Sequence, residues 1–352
     1  MLPTEPIGSL PRPPALQAAM AAHAAGTLPA DALEAAFEDA VINTLRRLEE
    51  AGEQVVTDGE QRKPSFATYP IAGLTTLASD GVTIPFADGH TRQLPVLTGR
   101  FQYQTYAASY LAAARRHTQR PLKQAVISAS ALSLLYPGAG VPGYDRDAFL
   151  ADLLDGAEQD LRRCLDAGAH AVQIDFTEAR LSLKLDPSGG LLDQFVALNN
   201  QVLARFTPPE RARLGVHTCP GGDHDSTHSA DIDYAELLPA LFRLDVGNFY
   251  VQLASERDRP RVLALLGTLA RADRRVFVGV TDPIDPRVES VDEVAARVLE
   301  AARFIDPAHL GTTDDCGFSP FGDDTSTSRD TAFAKIRARV EGTARASQTL
   351  GL

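Results

Sequence analysis

The chain has 352 residues, of which 44% are hydrophobic and 23% charged, a composition that can form a large globular core. Its net charge of −12 argues against nucleic acid or an anionic membrane as the main partner, because both attract basic surfaces. The absence of a membrane-length apolar run and of a signal-peptide pattern, with only three cysteines, predicts a cytoplasmic location.

Short apolar segments alternate with amphipathic helices along the whole chain. The predicted strands cover residues 4–8, 54–57, 122–128, 169–174, 212–216, 246–252, 275–280 and 309–313. The predicted helices cover residues 31–51, 104–117, 145–167, 191–205, 234–243, 259–270, 291–304 and 329–346. After the second strand, residues 84–103 are predicted to form an irregular excursion or hairpin.

Strands that alternate regularly with helices predict an α/β protein with a parallel sheet. Eight such units in a chain of this length fit a closed (β/α)8 TIM barrel better than an open sheet. We therefore expect a single barrel domain over residues 1–352, with the hairpin or excursion inserted after the second strand. No glycine-rich dinucleotide or phosphate loop follows any strand.

The polar residues just past each strand are the candidate active-site residues. In (β/α)8 barrels the active site lies at the carboxyl ends of the strands, so these side chains should converge. They are Ser9, Glu60, Asp175, His217, Cys219, Gln252, Asp282, Asp315 and Cys316.

Two of the three cysteines occur in this set and point to a metal site. His217 and Cys219 are two residues apart at a strand end and so face the same way, and Cys316 follows a distant strand. One imidazole and two thiolates suit zinc, and three protein ligands leave one position open for a substrate. The alternative is two buried thiols and a core histidine. A shared barrel mouth favours zinc.

Six short stretches together resemble a known family. In chain order they are Ile7-Gly8-Ser9-Leu10-Pro11, Asp58-Gly59-Glu60, Ile174-Asp175, His217-Thr218-Cys219, Gly279-Val280-Thr281-Asp282 and Asp314-Asp315-Cys316-Gly317. The set resembles the catalytic C-terminal barrel of the cobalamin-independent methionine synthase family and spans nearly the whole chain. The resemblance implies zinc bound by His217, Cys219 and Cys316, which holds a thiol, classically homocysteine, as a thiolate that attacks a methyl group.

The resemblance also implies roles for residues outside the metal site. Glu60 and Asp175 match the carboxylates that bind the amino group of the amino-acid substrate. The backbone from Ile7 to Ser9 matches the segment that binds its carboxylate. The structural alternatives are a turn residue at Glu60 and a helix N-cap at Asp175.

The sequence departs from the family pattern at two site positions. Gln252 occupies the strand end where the family has a glutamate as fourth zinc ligand, and a neutral amide oxygen is a weaker ligand. Glu256 could substitute for it, although a solvated loop charge is the simpler interpretation. Ile284 occupies the position of a catalytic histidine, so proton transfer would fall to Asp282 or Asp285 or would not be needed.

Two further features bear on the substrates. The stretch 221–228 contains two histidines and two aspartates, which are commonly part of hydrogen-bonded turns but could bind a second metal or an acidic substrate. His228 is its best candidate for substrate binding. The second, N-terminal barrel with which long family members bind folate has no counterpart here, so the methyl donor is left open.

Three functional hypotheses follow. The first is a zinc-dependent thiol alkyltransferase that transfers a methyl group from a donor to homocysteine or a similar small thiol. The second is a zinc enzyme that forms or cleaves C–S bonds with a non-methyl electrophile such as an epoxide. The third is a barrel that binds an amino acid or a metal without catalysis. In each case we expect no nucleic-acid or membrane partner and allow for a homo-oligomer.

Overall fold

The computed structural model describes all residues from 1 to 352. Its main sheet contains six parallel strands, and strands that are consecutive in the chain are neighbours in the sheet. They are Lys123–Ile127, Ala171–Asp175, Leu214–Thr218, Asn248–Val251, Arg275–Thr281 and Leu310–Asp314. Nearly all of these residues are buried, as in parallel sheets covered on both faces.

Two further segments complete the ring of strands. Thr4 forms a parallel bridge to Thr312 at one edge of the sheet, and Val56 forms one to Leu122 at the other edge. The two segments meet where the N–H of Leu10 donates to the carbonyl of Gly59 at 3.0 Å. Eight segments therefore surround the core, and the predicted (β/α)8 architecture is confirmed.

The predicted strands 4–8 and 54–57 are reduced to these single bridges. Pro6 lies within the first of them and has no N–H with which to extend a ladder. Three other strands lie slightly later in the chain than predicted. The strands predicted at 169–174, 212–216 and 309–313 are Ala171–Asp175, Leu214–Thr218 and Leu310–Asp314 in the structure.

Helices follow the strands in the expected places. All eight predicted helices are present, and four further helices, Pro14–Ala24, Ala129–Ser133, Glu178–Leu185 and Pro208–Arg211, were not predicted. The α-helices are Pro14–Ala24, Ala30–Glu50, Ala108–Arg115, Ala129–Ser133, Arg146–Asp166, Glu178–Leu185, Gly190–Leu203, Pro208–Arg211, Tyr234–Leu241, Arg259–Leu269, Val291–Ala301 and Arg329–Thr349, with short 3-10 turns at Tyr69–Ile71 and Pro307–His309.

The inserted segment consists of two small antiparallel pairs. Leu77–Ala78 pairs with Val96–Leu97, and Thr83–Pro85 pairs with Thr91–Gln93. The insertion therefore begins earlier than the predicted residue 84. A third small pair, Gly222–Asp223 with Ser226–Thr227, lies directly after the His217 strand.

One cluster of buried apolar side chains runs from Leu2 to Ala346. This continuity supports the proposal that residues 1–352 fold as one domain. No helix in the structure is both long enough and apolar enough to cross a membrane.

Candidate active site

Three metal-binding side chains converge at the carboxyl end of the sheet. His217 lies within the strand Leu214–Thr218, Cys219 follows it directly, and Cys316 comes two residues after the strand Leu310–Asp314. All three residues are buried, and one potential ligand atom of each lies within 4.8 Å of the others. The structure thus brings together the residues predicted to bind zinc.

The imidazole of His217 is oriented for metal binding. Its Nδ1 lies 3.3 Å from the backbone oxygen of Tyr250. A carbonyl oxygen only accepts hydrogen bonds, so Nδ1 carries the proton and Nε2 keeps its lone pair. This Nε2 is buried and has no hydrogen-bond partner. A backbone carbonyl that fixes the tautomer in this way is typical of metal-binding histidines.

The two cysteines are in direct contact. The Sγ atoms of Cys219 and Cys316 are 2.7 Å apart, and all three cysteines of the chain are free thiols. The contact with Cys219, together with burial, raises the pKa of the Cys316 thiol well above its ordinary value. Two adjacent thiols and an imidazole with an unpaired nitrogen form a donor set that fits zinc.

A cavity of about 650 Å³ opens beside these ligands. Seven of the predicted site residues line it: Ile7, Ser9, Glu60, Asp175, His217, His228 and Cys316. A cavity of this size can hold a small organic molecule. Two of the three predicted metal ligands, His217 and Cys316, therefore share one cavity with the predicted amino-acid-binding residues.

Glu60 enters the cavity from an unusual backbone conformation. Its φ of 55° lies in the left-handed region, directly after Gly59 at φ 66°. Asp58 stabilises this turn because its Oδ1 accepts the N–H of Glu60 at 3.0 Å. Strained non-glycine residues of this kind are frequent at functional sites. Lys63 donates to Glu60 Oε1 at 2.9 Å, whereas Glu60 Oε2 is buried without a partner.

Asp175 is the last residue of its strand. Its Oδ1 accepts a hydrogen bond from Gln173 at 2.7 Å. Burial, and then the neighbouring Glu60 carboxylate, raise the pKa of Asp175 to about 6. Because the two carboxyls repel each other electrostatically, a cation such as a substrate ammonium group would be favoured near them.

The N-terminal segment is packed against the second cysteine loop. The N–H of Phe318 donates to the carbonyl of Ser9 at 2.9 Å. A Cβ at Gly317 would lie 2.1 Å from Ser9 Oγ, so a larger residue after Cys316 would force the Ser9 side chain to move. Ile7 packs against Tyr250 and Phe277 in a separate small cluster.

Gln252 lies on the other side of the metal ligands. It lines a second cavity of about 470 Å³ together with Cys316. Its Oε1 accepts from Arg180 Nη1 at 3.2 Å, and its Nε2 donates to Ser255 at 2.8 Å. Glu256 is not a solvated loop charge, because it forms a part-buried ion pair with the same Arg180 at 3.0 Å.

The two aspartates predicted to transfer protons are placed differently from one another. Asp282 lines the second cavity, and burial raises the pKa of its carboxyl. Asp285 lines neither cavity, because Arg287 binds it through a backbone N–H at 2.9 Å and an ion pair at 3.5 Å. Ile284 lies beside Asp282 in the second cavity, close to Gly222 and so to Cys316.

Asp315 organises the loop after the strand Asn248–Val251. Its carboxylate accepts the N–H groups of Leu253, Ala254 and Ser255 at 2.7–2.8 Å. Burial, and then the nearby Asp282, raise its pKa to about 7. Its role is therefore to hold the loop that carries Gln252.

His228 faces the main cavity as an uncharged imidazole. Its Nδ1 lies 2.8 Å from Ser229 Oγ, and its ring packs edge-on against Phe86. Burial, followed by the charges of Lys184 and Arg180, lowers its pKa to about 4.

Asp223 and His224 of the stretch 221–228 belong to a cluster of ion pairs. Asp223, His224 and Asp324 place ligand atoms within 4.8 Å of one another. However, Arg92 donates to both oxygens of Asp223, at 2.5 and 3.1 Å, and so neutralises the buried carboxylate. Because a guanidinium already occupies this cluster, we assign it a structural role that holds the inserted hairpin to the 222–227 pair.

Three residues that line the two cavities or contact a lining residue were not singled out from the sequence. They are Lys63, which pairs with Glu60; Arg180, which binds Gln252 and Glu256; and Glu178, a buried carboxyl on the wall of the main cavity. Lys63 and Glu178 each lie three residues beyond a predicted site carboxylate. That spacing, in the turn after a strand, is the signal by which they could have been found.

Comparison with known proteins gives consistent relatives. A family model described as "Cobalamin-independent synthase, Catalytic domain" matches residues 2–341. The methionine synthase of Sulfolobus acidocaldarius is 26% identical over 320 residues, which are 90% of this chain and 86% of that protein. A 5-methyltetrahydropteroyltriglutamate–homocysteine methyltransferase from Nitratidesulfovibrio vulgaris is 27% identical over 320 residues, 90% of this chain but 38% of that protein.

Solved structures agree on the fold. The B12-independent methionine synthase from Shewanella sp. W3-18-1, in complex with selenomethionine, superposes with a TM-score of 0.75 at 19% identity and covers 100% of both chains. A putative vitamin-B12-independent methionine synthase from Listeria monocytogenes gives a TM-score of 0.73 at 19% identity over 98% of both chains.

Proposed function

Because the chain belongs to the family of cobalamin-independent synthase catalytic domains, we propose that it methylates the thiol of homocysteine at a zinc site formed by His217, Cys219 and Cys316. The observation that carries the proposal is the convergence of these three side chains, two of which, His217 and Cys316, line one cavity with Glu60 and Asp175. Neither a metal store nor a plain amino-acid-binding barrel needs both sets of residues in the same cavity.

Zinc, when bound by this donor set, lowers the pKa of a coordinated thiol so that it is held as a nucleophilic thiolate at neutral pH. The fit is supported by His217 Nε2, a buried nitrogen with no partner in the protein, and by the two adjacent thiols. Gln252 does not complete the ligand set in our proposal, since its amide oxygen accepts from Arg180.

The amino acid is bound by the residues opposite the metal ligands. Glu60 and Asp175 accept the ammonium group, since both are buried carboxyls on the cavity wall and one oxygen of Glu60 is unpaired. Lys63 donates to Glu60 and is itself held in the charged form: although burial alone would lower the pKa of Lys63, the Glu60 and Asp58 carboxylates raise it. Ser9 and the backbone at Ile7 bind the substrate carboxylate.

This arrangement fixes the position of the thiol relative to the metal ligands. Anchoring both the ammonium and the carboxylate leaves the side chain of homocysteine one direction in which to extend, towards Cys316 and His217. Apolar residues of the cavity wall then exclude water from the sulfur, which keeps the thiolate weakly solvated and reactive. The methyl donor approaches through the remainder of the cavity.

The test is the formation of methionine from homocysteine by the purified chain with a panel of methyl donors. We include methyl iodide as a donor that needs no binding site. The proposal expects methylation of homocysteine above the rate in solution by the wild type and none by Cys316→Ser. The exposed-site variant Gln104→Glu serves as the control. Rates equal to those in solution with every donor would contradict the proposed function.

A further inference from the structure

Three buried polar atoms without a hydrogen-bond partner belong to residues that line the main cavity. They are His217 Nε2, Glu60 Oε2 and Glu178 Oε2. A buried polar atom that is left unpaired destabilises the folded protein, and such atoms commonly mark a ligand contact. The proposed function gives the first atom to the metal and the second to the substrate ammonium group. The third has no assignment.

The carboxyl of Glu178 is held in a fixed orientation. Its Oε1 accepts hydrogen bonds from Ser128 Oγ at 2.5 Å and from Ser130 Oγ. Asn199 in turn donates to Ser130 Oγ at 2.7 Å. Glu178 is only 5% exposed. One oxygen is therefore saturated by hydroxyl donors, while the other is buried without a hydrogen-bond partner in the protein.

Glu178 lies beside the amino-acid site but outside it. It is three residues from Asp175 on the same strand–helix connection, and the Asp175 carboxylate acts on its ionisation. Around it the cavity wall is aliphatic: Ile127, Ala131, Leu132, Leu134, Leu135 and Leu181. The cavity volume of about 650 Å³ leaves room there for a second, largely apolar molecule beside a small amino acid.

The chain needs an acid if its donor is an amine. When a methyl group leaves a tertiary amine, the nitrogen must take up a proton. The resemblance places a histidine where this chain has Ile284, whose hydrocarbon side chain cannot donate a proton. Asp285 is bound by Arg287, and Asp282 lines the other cavity. Glu178 is the carboxyl of the main cavity that has a free oxygen and no other role.

We propose that Glu178 is the acid that protonates the leaving nitrogen of an N-methyl amine donor bound in this aliphatic part of the cavity. The inference rests on the proposed function. In the reaction the N–CH3 bond breaks and the S–CH3 bond to homocysteine forms. The carboxyl proton of Glu178 passes to the nitrogen, and the resulting carboxylate regains a proton equivalent to the one lost by the homocysteine thiol.

The ionisation of Glu178 is consistent with this role. Burial raises the pKa of its carboxyl to about 7, so a large fraction is protonated at neutral pH. Because Oε1 already accepts two hydroxyl hydrogens, the proton resides on the unpaired Oε2.

The test compares two donors that differ in their need for an acid. 5-Methyltetrahydropteroylglutamate is an N-methyl amine, whereas methyl iodide releases iodide, which takes up no proton. Glu178→Gln keeps the shape of the side chain and removes the acid. We expect the kcat of this variant with the N-methyl donor to fall by about 100-fold or more. Its rate with methyl iodide, its metal content and its calorimetric affinity for homocysteine should stay within about twofold of wild type. Glu341→Gln, at an exposed carboxyl, is the matched control.

Several outcomes would overturn the inference. They are an equal loss with both donors, no loss with either, or a wild type that uses methyl iodide but not the N-methyl donor. Ser130→Ala, which loosens the carboxyl without removing it, should give a smaller, donor-specific loss. If the wild type uses neither donor, the proposed function itself fails and the assignment of Glu178 falls with it.

Discussion

Arg180 holds Gln252 by its amide oxygen: the guanidinium Nη1 lies 3.2 Å from Oε1, and the same Nη1 lies 3.0 Å from Glu256. The residue where the family pattern has a glutamate is therefore engaged by a cation that lies 3% exposed. A neutral amide fits this environment, because Glu256 already supplies the charge that balances Arg180. The contact supports our proposal that only three protein residues, His217, Cys219 and Cys316, bind the metal.

Gln252→Glu should strengthen metal binding. Carboxylate oxygen is a better zinc ligand than an amide oxygen, although Arg180 will compete for it. We expect the variant to lose its metal to a chelator more slowly than the wild type, by roughly tenfold, within the range of neighbouring-residue effects on metal affinity. Gln104→Glu controls for the added charge. Unchanged or faster loss would mean that Arg180 keeps the carboxylate away from the metal.

Removing the carboxylate of Glu60 or of Asp175 should weaken the binding of homocysteine. It should not weaken the binding of a thiol that has no ammonium group. We expect Glu60→Gln and Asp175→Asn to raise the KM for homocysteine by about 10- to 100-fold, the cost of losing a charged hydrogen bond. The KM for 4-mercaptobutanoate, which is homocysteine without its amino group, should change little. Comparable increases for both thiols would indicate damage to the whole cavity instead of a lost contact.

Gly317→Ala should disturb the carboxylate-binding segment. Its Cβ would lie 2.1 Å from Ser9 Oγ, so Ser9 must move. We expect a several-fold higher KM for homocysteine with unchanged metal content, measured by steady-state kinetics and metal analysis. Gly138→Ala is the matched control, because nothing lies within 4 Å of a Cβ there. A wild-type KM in Gly317→Ala would remove Ser9 from the substrate site.

His228 should make the protein less stable in mild acid. Burial lowers its pKa in the folded state to about 4, against 6.5 for an ordinary histidine. The unfolded chain therefore binds the proton first, and stability falls as the pH drops from about 6.5 to 4, by at most about 1.4 kcal/mol per pH unit. Below that range the effect levels off.

The corresponding experiment is thermal unfolding at several pH values. His228→Gln should show a shallower fall in Tm between pH 6.5 and 4.5 than the wild type. The exposed His23→Gln should follow the wild type. Parallel pH dependence in all three proteins would show that His228 is protonated in the folded state as readily as in the unfolded chain.

Most of the fold was predictable because buried parallel strands and amphipathic helices have strong local signatures. The two N-terminal strands were less predictable. Pro6 interrupts the first, and the ring of strands closes there through single hydrogen bonds, such as the one from Leu10 to Gly59. Closure of this kind depends on residues far apart in sequence and has no local pattern.

Strand-end position and family resemblance together predicted which residues could meet. The convergence of His217, Cys219 and Cys316 was predictable from these two signals. The partners of individual polar groups were not predictable: Asp285 binds Arg287, Glu256 binds Arg180, and Glu178 accepts from two serines at the start of the helix Ala129–Ser133. Such pairings depend on which side chains share a buried space, and spacing along the chain does not contain that information.

The most direct test of the account is metal analysis of the purified chain, handled without chelators, together with Cys219→Ser and Cys316→Ser. An alcohol oxygen is a far poorer zinc ligand than a thiolate. We therefore predict about one zinc per chain in the wild type and a loss of most of it in both variants, with Cys164→Ser retaining the wild-type content. A well-folded wild type without bound metal, or cysteine variants that keep it, would contradict the central claim.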